Sequence, residues 1–106
     1  MATVTSKALF RGAATTTTTT VLYTVPASTT AVVTNIAVVN TGASDYTFTL
    51  GMGTAGANTS LHTTTTILAN ATAYIDCKQV LVATNTLTGG ASNVAVSFHI
   101  SGVEIV

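Results

Sequence analysis

Between Tyr46 and Leu50 the chain alternates strictly, with Tyr46, Phe48 and Leu50 pointing one way and Thr47 and Thr49 the other. A period of two belongs to a pleated strand with one face buried, because successive side chains leave opposite sides of the backbone. The same period governs almost the whole sequence, and no amphipathic helix of useful length interrupts it. Composition points the same way. About a quarter of the 106 residues are threonine, a β-branched type whose restricted χ1 suits a half-buried pleated surface.

From Ala31 to Asn40 the even positions Val32, Ile36 and Val38 share a face with Thr34, while Val33, Ala37 and Val39 fill the other. That pattern predicts a strand buried on both sides. The polar turn Thr41-Gly42-Ala43-Ser44-Asp45 follows, so this strand and the one at Tyr46–Leu50 read as a hairpin. Further strands are expected at Val21–Val25, Leu61–Leu68, Ala73–Cys77, Gln79–Asn85, Val94–Ser101 and Val103–Val106. Pro26 closes the first, since proline cannot donate to a central ladder. The run Gly89-Gly90-Ala91-Ser92-Asn93 reads as a loop before Val94, Val96, Phe98 and Ile100, which share a face. Seven or eight short strands at regular spacing imply an all-β fold, a single antiparallel β-sandwich, with a jelly roll among the forms it can take. The first twenty residues differ. Met1 to Ala14 is weakly patterned and carries two of the three cations, and Thr15–Thr20 is a homopolymer that fits either a strand or a linker. Residues 1–20 are therefore expected to form an extended N-terminal arm and threonine-rich linker ahead of a sandwich domain at 21–106.

Charge narrows the range of partners. Lys7, Arg11 and Lys78 oppose Asp45, Asp76 and Glu104, giving zero net charge and 6% charged residues, against about 25% in an average soluble domain. A globule of this mass exposes roughly 5,500 Å², so each charge serves about 900 Å² of surface. Either threonine hydroxyls hydrate that surface or much of it faces a partner. Nucleic acid is not expected as the partner, because three scattered cations form no basic stripe to displace condensed counterions. The same shortage argues against an anionic membrane surface. No apolar stretch approaches the ~20 residues of a membrane span, and Met1–Lys7 lacks the layout of a secretion signal. Cys77 is the only cysteine, so no intrachain disulfide is expected, and a chain of this length needs neither disulfide nor metal to fold.

Several matches to chemical motifs are weak on physical grounds. Gly51-Met52-Gly53-Thr54-Ala55-Gly56 fits the dinucleotide-binding spacing and Asp76 lies downstream, but the pyrophosphate needs a following helix, and Ala57–Thr66 is a poor helix sequence. His62 and His99 have no second ligand at metal spacing. Ser60, His62 and Asp76 supply the residue types of a hydrolase triad without a nucleophile elbow. Cys77 reads as a small buried hydrophobe. Asn58-Thr59-Ser60 and Asn70-Ala71-Thr72 match the glycosylation sequon, as chance allows in a threonine-rich chain. An ice-binding array would need Thr-x-Thr at a constant repeat, and Thr47-Phe48-Thr49 alone has that form clearly. The expectation is a protein with no enzymatic activity, no catalytic residue, no cofactor and no metal.

At Val21-Leu22-Tyr23-Thr24-Val25-Pro26-Ala27-Ser28-Thr29-Thr30-Ala31-Val32-Val33 and Asn35-Ile36-Ala37-Val38-Val39-Asn40-Thr41-Gly42 the sequence resembles the small virion structural proteins of tailed bacteriophages, of the capsid cement, decoration or tail accessory type. The resemblance continues through Val94–Ser101 and Gly102-Val103-Glu104-Ile105, spanning about Val21 to Val106. It implies a capsid cement protein, made in the host cytoplasm and carried on the outer capsid surface, that bridges capsomers by contacts with the major capsid protein. It also implies a homo-oligomer, a trimer being the usual arrangement. The alternative is a tail, fibre or host-recognition module that contacts tail proteins. Within the arm, Phe10 is the expected apolar anchor on the partner, with Lys7 and Arg11 meeting its carboxylates.

Overall fold

The structure is a computed structural model that describes residues 3–54 and 57–106. The described residues form eight strands: β1 (Val4–Ala13), β2 (Val21–Thr24), β3 (Thr30–Asn40), β4 (Tyr46–Thr54), β5 (Ala57–Ile67), β6 (Thr72–Leu81), β7 (Thr86–Ala91) and β8 (Val96–Ile105). They make two four-stranded sheets, sheet A in the order β1-β8-β3-β6 and sheet B in the order β2-β7-β4-β5. The pairing is nested and antiparallel. β1 pairs β8, β2 pairs β7, β3 pairs β6 and β4 pairs β5. The chain is thus one long hairpin folded over on itself, with successive rungs falling alternately in the two sheets. That is the winding of a jelly roll.

The core lies between the sheets. Sheet A supplies Val33, Ile36, Val38, Val96, Phe98 and Ile100, and sheet B supplies Phe48, Leu50, Met52 and Leu87. Phe48 and Phe98 meet edge to face across the core, with ring centroids 6.3 Å apart, an arrangement aromatic quadrupoles favour. Asn40 is the most deeply buried polar side chain. Its amide donates to the carbonyls of Ser44 and Ile67, and its oxygen accepts from the Gly42 N–H. These bonds fix the arch that carries the chain from β3 in sheet A to β4 in sheet B.

Five expectations are corrected. Thr41–Asp45 makes an arch rather than a hairpin turn, because β3 pairs β6 and β8 while β4 pairs β5 and β7. The face assignment in β3 changes phase at a bulge around Thr34, so Ala31, Val33, Ile36 and Val38 point inward and Val32 points out. The arm expected at residues 1–20 is not apart from the sandwich: Val4–Ala13 is an edge strand of sheet A, hydrogen-bonded along β8, and Met1 and Ala2 lie outside the described residues. Its pattern escapes a period-two reading because a bulge at Leu9 breaks the alternation. The glycine run at 89–91, expected as a loop, is the second half of β7, inside sheet B. The Thr15–Thr20 run is the linker from β1 to β2. It lies along β7 and supplies the carbonyls of Thr20 and Thr15 to the N–H groups of Gly89 and Ala91. A side chain at Gly90 would put Cβ 2.3 Å from the Thr17 carbonyl oxygen. Glycine is what lets the threonine linker dock there. The pairs expected as separate strands at 73–77 and 79–85, and at 94–101 and 103–106, are single strands, β6 and β8.

Candidate interaction surfaces

The outer face of sheet A is built from strands distant in sequence, and the register decides which residues meet. Residues paired across an antiparallel ladder share a face. One row reads Arg11, His99, Ala37 and Tyr74 from edge to edge. The next reads Ala8, Ser101, Asn35 and Asp76, with the Asn35 amide donating to the Asp76 carboxylate at 3.3 Å. Beyond the β3 bulge come Ser6, Val103, Val32 and Val80, and then Val4, Ile105 and Thr30. Half of the face is therefore aliphatic, with Val4 64% and Val80 62% exposed, and Tyr74 stands 74% exposed above Ala37 in the other half. Contiguous exposed apolar residues of this kind mark an interaction site, unlike single scattered ones.

The outer face of sheet B has a different chemistry. Thr47 and Thr66 pair across it, as do Thr49 with Gly90, Gly51 with Thr88 and Ser60, and Gly53 with Thr86 and Asn58. Asn58 is locked into this face. With its amide oriented to satisfy both ends, it donates to Gly53 O, Thr54 O and Thr86 Oγ1 and accepts from Thr88 Oγ1 at 2.8 Å. Thr18 and Thr19 overhang the strands, leaving a hydroxyl-lined groove against Thr49, Gly51 and Ser60. Five of the six charged residues lie on sheet A strands and the sixth, Asp45, lies in the β3–β4 arch, so sheet B carries no formal charge.

The two sheets are clasped at one end by Lys7, Tyr23 and Glu104. Lys7 Nζ lies 3.2 Å from Glu104 Oε2, and the Tyr23 hydroxyl donates to the same oxygen. Burial, reinforced by the adjacent Glu104 carboxylate, pushes the Tyr23 phenol well above its ordinary value. The hydrogen bond from Tyr23, aided by Lys7, holds Glu104 below the usual carboxylate range. The one hydrogen bond, which requires a phenol and a carboxylate, dominates the Glu104 shift and adds to the effect of burial on Tyr23.

Of the residues expected to meet a partner, Lys7 is thus engaged with Glu104, Phe10 packs against the domain's own core, and Arg11 faces outward on sheet A. The triad residues are not brought together. Ser60 is on the outer face of sheet B, His62 turns inward against Phe48 with ring centroids 5.7 Å apart, and Asp76 is on sheet A. His99 faces outward, as its phase predicts. Cys77 is half-buried, its thiol raised by burial and then by the Asp76 charge, and it lines a shallow hollow with Thr34, Asp76 and Lys78 at the β3 bulge. Gly51–Thr54 continues strand β4 and is followed by strand β5, not by a helix; Ala55 and Gly56 of the glycine pattern lie outside the described residues. Among the described residues no three His, Cys, Asp or Glu side chains gather as a metal site. The aliphatic half of sheet A was missed by sequence reasoning because its rows exist only once β1, β3, β6 and β8 are in register.

No protein-family model and no curated protein matches the sequence. Solved structures do match in fold. A chain of the T13 viral particle of infectious bursal disease virus superposes with a TM-score of 0.59 at 10% identity, covering 98% of this chain and 30% of that one. This chain therefore spans about a third of the length of that viral protein. A chain from the acid-stable capsid of Helicobacter pylori bacteriophage KHP30 gives a TM-score of 0.55 at 11% identity, covering 100% of this chain and 94% of that one. The Tobacco streak virus coat protein gives 0.51 at 13% identity, covering 98% and 83%. At such identities the likeness is one of fold: the chain has the β-sandwich of viral capsid proteins.

Proposed function

We propose that this chain is a virion structural protein, and specifically a capsid cement or decoration protein on the outer surface of a bacteriophage shell. The observation that carries the reading is the nested eight-strand jelly roll, matched almost end to end by a chain of similar length in the KHP30 capsid. The charges of this chain support an outward position, since three cations balanced by three anions give no basic surface for packaged nucleic acid.

The mechanism is mass action without chemistry. A protein that binds the assembled shell and not its dissociated subunits shifts the equilibrium toward the shell, by an amount set by its concentration relative to Kd. The uncharged, hydroxyl-lined face of sheet B suits this contact, because docking it leaves no unpaired charge buried. Partners on this reading are the major capsid protein and further copies of the chain. No residue is assigned a catalytic role. The test is the copy number of the chain in purified particles of the virus that encodes it. Abundance near that of the major capsid protein is expected. A few copies per particle would move the assignment to the tail, and absence from particles would overturn the virion reading.

A further inference from the structure

We infer that the outer face of sheet A is a self-association surface, on which a second copy of this chain packs face to face about a two-fold axis parallel to the strands. The inference rests on the residues of that face and does not require the virion reading.

The face is self-complementary. A rotation about that axis reverses the strand order, so β1 lies over the partner's β6 and β8 over the partner's β3. Arg11, at one edge of its row, then faces the partner's Tyr74, which ends the same row at the other edge. A guanidinium over an exposed phenol ring is a favourable cation–π pair. Asp76 lies two residues along β6 from Tyr74, within reach of the same guanidinium. His99 falls over the partner's Ala37, a large side chain opposite a small one. Val103 falls over the partner's Val32, and Ser6 over the partner's Val80. Every contact occurs twice, as an isologous interface requires.

Area and geometry agree. Four strands about 4.8 Å apart and ten residues long at ~3.3 Å each present roughly 600 Å² per copy. The two copies together bury about 1,200 Å², the lower bound of a specific interface. Aligned sheets with β-branched side chains interdigitating pack well face to face, and the aliphatic rows at one end of the face supply a contiguous apolar patch for the contact. Sheet B offers no equivalent aliphatic row, since its face is threonine and glycine, with Thr86 and Thr88 bonded to Asn58.

Sedimentation equilibrium of the purified full chain, without particles, over a wide concentration range is the test. The expected result is a reversible dimer. Val80→Lys, at an exposed edge position, is expected to weaken it about tenfold. Charge reversal guards against a variant that merely misfolds. Arg11→Asp and Asp76→Arg are each expected to weaken the dimer, and the double reversal is expected to recover it. A monomer at all concentrations, a trimer, or a dimer indifferent to all of these substitutions would overturn the inference. So would a monomer whose binding to assembled shells is lost in Val80→Lys, which would assign the face to the shell. The virion reading fails separately, by absence of the chain from particles.

Discussion

The two outer faces of the sandwich are made of nearly isosteric side chains put to opposite uses. On sheet A, Val32, Val80, Val103 and Ile105 sit beside Arg11 and Asp76. On sheet B the corresponding places hold Thr47, Thr49, Thr66, Thr86 and Thr88, interspersed with Gly51, Gly53 and Gly90. Valine and threonine differ by a methyl for a hydroxyl and satisfy the pleat equally well. The fold is indifferent to the exchange on an outer face, so the choice reports what each face meets. Sheet A presents groups that gain by leaving water, and sheet B presents hydroxyls that exchange water for a polar partner at little cost. The outer face of sheet B also depends on backbone approach, the threonine linker lying over Gly90, where the outer face of sheet A is made by side chains.

The largest expected effect tests that last difference. Gly90→Ala places a methyl 2.3 Å from the Thr17 carbonyl oxygen, and the threonine linker must lift off β7 to admit it. The expected cost is about 3 kcal/mol, at the upper end of overpacking, read as a lower denaturation midpoint. Ser97→Ala, on the outer face of sheet A, is expected to change stability by less than about 0.5 kcal/mol. Equal effects at the two positions would erase the distinction between a face made by backbone approach and one made by side chains.

The same glycines explain what the sequence concealed. The alternation of Phe48 with Leu50, and of Val96, Phe98 and Ile100, is visible in one dimension, and those strands stand where periodicity places them. β7 is not visible, because Gly89 and Gly90 carry the turn signature while serving as close-approach positions under Leu50 and Thr17. β1 is hidden by its bulge at Leu9 and by a mostly exposed pattern. Thr34 conceals a change of phase that turns Val32 from core to surface. The interaction face is the least legible part. Val32, Val80 and Val103 are distant in sequence and form one row only after two ladders have set their register.

A second comparison sharpens the use of valine against threonine. The combined substitution Val32→Thr, Val80→Thr and Val103→Thr gives sheet A the chemistry of sheet B. The fold is expected to persist, with the circular dichroism spectrum unchanged and a stability loss of about 1–2 kcal/mol, since these side chains are only partly buried. Self-association is expected to disappear in the sedimentation profile. A variant that unfolds outright would show that the valines belong to the core and not to a face.

The sheets differ outside and are tied together at one end by Tyr23 and Glu104, so a smaller effect is expected there. Tyr23→Phe removes the donor and is expected to cost about 1–2 kcal/mol. The pH dependence follows from the directions of the two shifts. Glu104 is held below its ordinary value of 4.5, so its contribution is full above that pH and is lost as pH falls through the lower folded value. Tyr23 is raised above 10.0, so its contribution is full below that pH and is lost as pH rises through the raised value. Melting temperature should be flat for this pair between those limits. Glu104→Gln should reduce the acid limb of the profile, and an unchanged acid limb would show that the clasp does not couple the sheets.

The smallest expected effect concerns strain, which the sheets also share unequally. Among the described residues four non-glycine residues have positive φ, and of these Ser28, Asn70 and Thr84 lie in connections, whereas Thr64 lies inside β5 of sheet B with φ of 48°. A β-branched residue is disfavoured in the left-handed region. It is held there because the Thr64 N–H donates to Thr49 Oγ1 at 3.0 Å, at the irregularity where Phe48 pairs Thr65 and Leu50 pairs His62. Asparagine tolerates that conformation, so Thr64→Asn is expected to raise stability by up to about 1 kcal/mol. The same change at Thr66, a regularly paired neighbour on the outer face, is expected to lower it by about 0.5 kcal/mol through lost β propensity. Opposite signs two residues apart would locate the strain in the bulge itself. Equal signs would mean that the edge of sheet B is an ordinary strand, and that its threonines are chosen for their hydroxyls alone.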